Sequence, residues 1–252
     1  MPLAATRGAG LPGERAFFAA MSLVLLAAVV LGFGRTFFFS PWFPEARRLA
    51  PPESFFFYHG IATAAWFAML IAQAALVASG NVRRHRQLGR YGVVLAVLIV
   101  ALGVYGGLLA AGRPGGFTGV PVPPLQFLVV PLAAIALFSV FVALAIARRS
   151  DPQSHKRYML LAGISMIEAA VARWPFGFME PPSPVPGTQV WELVTCLFLV
   201  PLVLWDLASR GRVHAVTLWG GLALIATLLL RLPLASTEAW QEFARWAVRL
   251  AG

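Results

Sequence analysis

The chain is 252 residues long, 59% hydrophobic and 12% charged, with a mean hydropathy of +0.77 and a net charge of +10. A soluble domain carries about 25% charged residues, so these values exclude an ordinary soluble globular protein and place the chain in a bilayer. A single cysteine, Cys196, excludes an internal disulfide framework and a multi-cysteine metal cage. Basic residues gathered in short clusters between apolar runs suit membrane topology and not a nucleic-acid face.

Residues 1–15 read as a flexible cytoplasmic N-terminus. Seven apolar segments follow, each long enough to cross the hydrocarbon core as a helix: 16–34, 55–79, 91–112, 125–147, 158–178, 189–209 and 214–235. Backbone groups in lipid must be satisfied within the segment, so the expected fold is an all-α polytopic transmembrane helix bundle of about seven spans over 16–235. The first segment exceeds the apolar core of a signal peptide and has no Ala-x-Ala-like end, so it is kept as a span. The connection 35–54 carries Phe37, Phe38, Phe39, Trp42 and Phe43, aromatics that suit the headgroup level. Gly103 and Gly107 permit close helix approach. Pro131 and Pro201 fall inside spans and are expected to kink them, each freeing a carbonyl one turn earlier. Residues 236–252 place Glu238, Glu242, Arg245 and Arg249 on one stripe and Trp240, Phe243 and Ala247 on another, the pattern of an interfacial amphipathic helix.

The stretch NVRRHRQLGRYG, residues 81–92, holds four arginines and a histidine between nearly uncharged runs. It and a second basic cluster at Arg148, Arg149, Lys156 and Arg157 fall in the short connections between spans two and three and spans four and five. Short loops rich in Lys and Arg stay in the cytoplasm. The expected orientation is therefore N-terminus inside, in a bacterial cytoplasmic membrane, with anionic lipid headgroups as partners of the cytoplasmic loops.

Ionisable residues inside spans are costly and call for partners. Glu168 and Arg173 lie in the fifth segment, five residues apart, so their partners are expected on other helices. Glu192, Arg231 and His59 lie at matching depth, and the five together define an expected polar cluster in the outer half. His59, Trp66 and Gln73, spaced seven apart, face one way along the second span. The best functional reading is binding or transport of a small ligand, ion or proton through His59, Trp66, Gln73, Glu168, Arg173, Glu192 and Arg231. An alternative is a redox protein with one b-type haem held by His85 and His155 at the inner ends of their helices. A third is a structural or accessory membrane protein, its polar groups serving as interhelical fasteners. No nucleotide loop, hydrolase elbow or metalloprotease motif is present, so no catalytic residue is assigned.

At His85-Arg86-Gln87-Leu88-Gly89-Arg90-Tyr91, and at His155-Lys156-Arg157-Tyr158-Met159 followed by Ala169-Ala170-Val171 and Arg173, the chain resembles a family of uncharacterised bacterial multi-pass membrane proteins. That family shows Leu-His-Arg-x-x-Gly-Arg-x-Tyr entering one helix and His-Arg-Arg-Trp-Met entering a later one. The likeness covers about residues 55–175. Here Arg84 replaces the leucine, the tyrosine stands one position early at Tyr91, and Lys156 and Tyr158 replace arginine and tryptophan. Membership implies a polytopic inner-membrane protein and leaves its role open.

Overall fold

The computed structural model describes residues 13–46, 53–117, 122–179, 183–184 and 188–251. Most of the expected N-terminal segment 1–15 and part of the 35–54 connection lie outside them. Among the described residues there are helices and no strands, as the continuous apolar runs require.

In chain order the helices are α1 (Glu14–Phe33), α2 (Glu53–Ala78), α3 (Val82–Gly112), the short α4 (Pro124–Phe127) and α5 (Val129–Ala147). There follow α6 (Pro152–Met166), α7 (Glu168–Val171), α8 (Val190–Leu197), α9 (Val200–Arg210), α10 (Ala215–Ala235) and α11 (Glu238–Ala251). Six candidate spans are long and apolar enough to cross a membrane: 14–38, 54–78, 82–112, 124–147, 190–210 and 215–235. Their outward faces carry apolar residues such as Val94, Val97 and Leu230, each more than 60% exposed, which suits contact with lipid.

The stretch 81–90, expected as a loop, is helical. Asn81 caps α3 by accepting from the Arg84 N–H (3.2 Å), and the helix runs for 31 residues. At 1.5 Å per residue that is about 46 Å, well beyond a hydrocarbon core of about 30 Å. Its exposed arginines Arg83, Arg84, Arg86 and Arg90 therefore form a helical extension past the apolar part.

The fifth expected segment, 158–178, is the other departure. Its residues form α6 and α7, separated at Ile167, and this broken helix is not among the six. It is instead the buried centre of the bundle, packed mainly on α1, α5 and α10. Arg157, Leu161, Ala162, Ile164, Ile167 and Val171 have no exposed surface. A segment shielded by its neighbours does not need an apolar exterior, which is why its ionisable residues are tolerated. At the break, Ile167 N–H donates to the Ile164 carbonyl (3.4 Å) and Ser165 Oγ to the Ala162 carbonyl (2.9 Å). The side chain thus competes with the helical ladder.

The expected proline kinks coincide with two further breaks, at Leu128 between α4 and α5 and at Phe198–Leu199 between α8 and α9. Helix α11 buries Ala244 and Ala247 against the bundle, and Trp240 Nε1 donates to the Leu125 carbonyl (2.9 Å). Its Phe243, Trp246 and Leu250 remain exposed.

Candidate functional site

Helix α6–α7 carries one buried ionic cluster at each end. At its N-terminal end, Arg157 is enclosed completely. Its Nε donates to Asp206 Oδ1 (3.1 Å), Nη2 bonds the same carboxylate, and Nη1 donates to Gln153 O and Oε1 (both 2.9 Å). Asp206 Oδ2 accepts from Thr217 Oγ1 (2.5 Å) and the His214 N–H (3.0 Å). Beside this pair Lys156 forms an ion pair with Glu14 of α1. Helices α1, α6, α9 and α10 are thereby tied together where the basic clusters gather. Arg157 and Lys156 thus fasten the core, although they belong to a basic cluster of the sequence.

In the connections at this end, Asp151 and His214 are shifted from their ordinary values. The Ser154 hydroxyl, donating to Asp151 Oδ2 (2.6 Å), holds the Asp151 carboxyl below the usual carboxylate range. Burial, reinforced by the Arg157 and Arg210 charges, pushes the His214 imidazole below its ordinary value. His214 Nδ1 accepts from the Val216 N–H (3.1 Å) and so caps α10 in its neutral form.

His85 and His155 meet at the same end, ring centroids 6.2 Å apart and nearly perpendicular. This places the basic stretches 81–90 and 148–157 on one side of the bundle. His155 Nδ1 donates to the Ala145 carbonyl (2.8 Å). With the Gln73 amide oriented by its neighbours, its nitrogen donates to His85 Nδ1 (2.6 Å) and its oxygen accepts from the Gly89 N–H (2.9 Å). A neutral His85 then carries its proton on Nε2.

The second cluster sits at the opposite end, around the helix break. Arg231 of α10 donates through Nη1 to Glu168 Oε2 (2.6 Å), and its Nη2 bonds both Glu168 and Glu192, the latter at 2.5 Å. All three are buried, at 3%, 6% and 2% exposure. Glu192 is fixed because it also closes the capping box of α8, accepting from the Gln189 N–H (2.8 Å). Two carboxylates face one guanidinium, so the fully ionised triad carries one excess negative charge.

A cavity of about 10 Å³, the size that holds about one water, adjoins the triad. Ser165, Thr195, Thr227, Glu168 and Arg231 supply its polar lining. Each hydroxyl donates its hydrogen to a carbonyl of its own helix: Ser165 to Ala162 (2.9 Å), Thr195 to Trp191 (2.8 Å) and Thr227 to Ala223 (2.8 Å). What they have left to offer is lone pairs.

Three of the five residues expected in the outer cluster are therefore brought together, and two are not. The Arg173 guanidinium lies over the Phe33 ring (4.8 Å) and donates to the Ala169 carbonyl (2.5 Å), with the residue exposed. His59, on α2, lies against α3 beside Gly103, its Nδ1 without a partner among the described residues. Trp66 packs edge-to-face on Phe138 (4.8 Å) in the core. No group of three or more potential metal ligands occurs among the described residues.

The geometry defines an α-helical, multi-pass membrane protein with an ionic triad at a discontinuous central helix. The chain matches no family model, no curated protein and no solved structure.

Proposed function

We propose that the Glu168–Arg231–Glu192 triad is a charge-exchange site that binds, and passes across the membrane, a proton or a small monovalent cation. The observation that carries this reading is the excess carboxylate of a buried triad beside a cavity of one-water size. An uncompensated charge in a low-dielectric site costs several kcal/mol, and taking up one positive charge removes that cost. The cavity's volume favours a proton or ion over any larger solute. Discontinuous helices are where membrane proteins place such sites, because the break turns polar atoms toward a cavity.

We place the basic end of the bundle inside a bacterial cytoplasmic membrane, by the bias of short Arg-rich connections, and the triad in the outer half. Membership of the bacterial family whose motifs resemble those at His85 and His155 belongs with this proposal.

The test is charge uptake by sealed proteoliposomes under an imposed potential, read with a voltage-sensitive dye. Wild type is expected to collapse the potential faster than empty vesicles. Glu168→Gln and Glu192→Gln should return to the empty-vesicle rate, and Arg173→Ala, outside the triad, should keep the wild-type rate. Wild type indistinguishable from empty vesicles in every ionic condition overturns the reading.

A further inference from the structure

We infer that the charge taken up at the triad is a proton, delivered through one water held between Arg231 and the Ser165, Thr195 and Thr227 hydroxyls, and not an alkali-metal cation. This rests on the reading of the triad as a charge-exchange site and names what it exchanges.

The hydrogen-bond inventory of the cavity decides between the two. A bare cation is held by a shell of oxygen acceptors and needs all of them. The three hydroxyls and the Glu168 carboxylate are acceptors, but Arg231 is not. Its Nε–H is buried without a partner among the described residues, and its side chain lines the cavity. A metal ion cannot accept from that N–H and is repelled by the guanidinium. Water meets both demands: one lone pair accepts from Nε–H, and its two hydrogens serve hydroxyl or carboxylate oxygens. A buried donor left without an acceptor destabilises the fold, so the pairing is favourable in its own right.

The step balances within the site. The water accepts a proton from the membrane surface on its remaining lone pair and gives one of its own to an oxygen of the Glu168–Glu192 pair. At the water one O–H bond forms and one breaks, and the carboxylate gains one. Glu168 is the point of entry because it lines the cavity, and Glu192 shares the proton through the common guanidinium. Both carboxylates bond the same Arg231 Nη2, so a proton on either relieves the excess charge of the whole triad. The triad passes from one excess negative charge to neutrality.

Two measurements test this. In proteoliposomes prepared with choline in place of all alkali cations, wild-type charge uptake should continue and should follow an imposed pH gradient. In purified protein, the infrared carbonyl stretch of a protonated carboxylic acid should be present and should diminish in both Glu168→Gln and Glu192→Gln. Thr195→Val, which removes a lone pair from the water's seat and no charge, should slow uptake and keep the band. Uptake that stops in choline and returns with sodium leaves charge exchange standing and overturns the proton. Absence of the carboxylic-acid band from wild type overturns it as well.

Discussion

Arg157 and Asp206, 49 residues apart in sequence and both without exposed surface, meet through two nitrogens of one guanidinium. Every remaining polar atom of the carboxylate is met by Thr217 and the His214 N–H, so the pair is satisfied as well as paired. Removing one member of such a pair strands the other and costs about 3–5 kcal/mol. Arg157→Met and Asp206→Leu are each expected to lower the melting temperature in detergent sharply. The double replacement Arg157→Met with Asp206→Leu should cost less than the two singles together, since neither charge is then left behind. Singles that melt like wild type, or a double that costs the full sum, contradict this account.

The triad predicts a contrast between two arginines that the sequence assigns to the same cluster. Arg231→Met leaves two buried carboxylates facing each other and is expected to cost about 3–5 kcal/mol. Arg173→Ala removes an exposed cation over one ring, worth about 0.5–1 kcal/mol. Thermal unfolding of the two variants side by side checks the order. Equal losses would mean that Arg173 is as embedded as Arg231, which its exposure denies.

Much of this architecture is legible in the sequence because lipid imposes so strong a rule. Length and apolarity locate the six candidate spans, Pro131 and Pro201 mark two of the three breaks, and the depth of Glu168, Glu192 and Arg231 brings them together. The central helix escapes that logic. Hydropathy rewards contact with lipid, but α6–α7 contacts other helices, so its polar residues look like weakness in a span when they are the bundle's ties. Arg157 follows His155 and Lys156, which makes it resemble a solvated loop charge. Its true signal is Asp206, an acid inside an apolar run that has to be neutralised by something buried. The sequence suggests the triad's depth for Arg173 and His59 as well, but they make other contacts, because position along a span carries no direction around a helix.

Close approach of backbones at the triad's end gives another prediction. A Cβ built on Gly32 of α1 would fall on the Ala170 carbonyl of α7, a backbone atom that no side-chain rotation can move aside. Gly32→Ala is expected to push α1 away from the central helix and to cost about 1–3 kcal/mol, the usual range for overpacking. Because α7 begins with Glu168, the same variant should also disturb charge uptake. A melting temperature unchanged from wild type would show that the two helices have room to part.

The pH dependence of stability should carry the mark of His214. Burial and then the Arg157 and Arg210 charges lower its affinity for a proton in the folded state, only partly offset by Asp206 and Asp151. The unfolded chain, titrating near the ordinary histidine value of about 6.5, therefore binds the proton first as pH falls. A depressed histidine contributes stability that is complete above the unfolded value and is lost as pH drops from there through the folded one. The neutral form is also the one that accepts from the Val216 N–H to cap α10, so protonation removes a cap as it adds a charge. His214→Asn retains an acceptor at the cap and has nothing to titrate. Melting temperatures measured from about pH 8 down to about pH 5 should fall less steeply for His214→Asn than for wild type. Parallel curves would assign the acid sensitivity of this end to other groups.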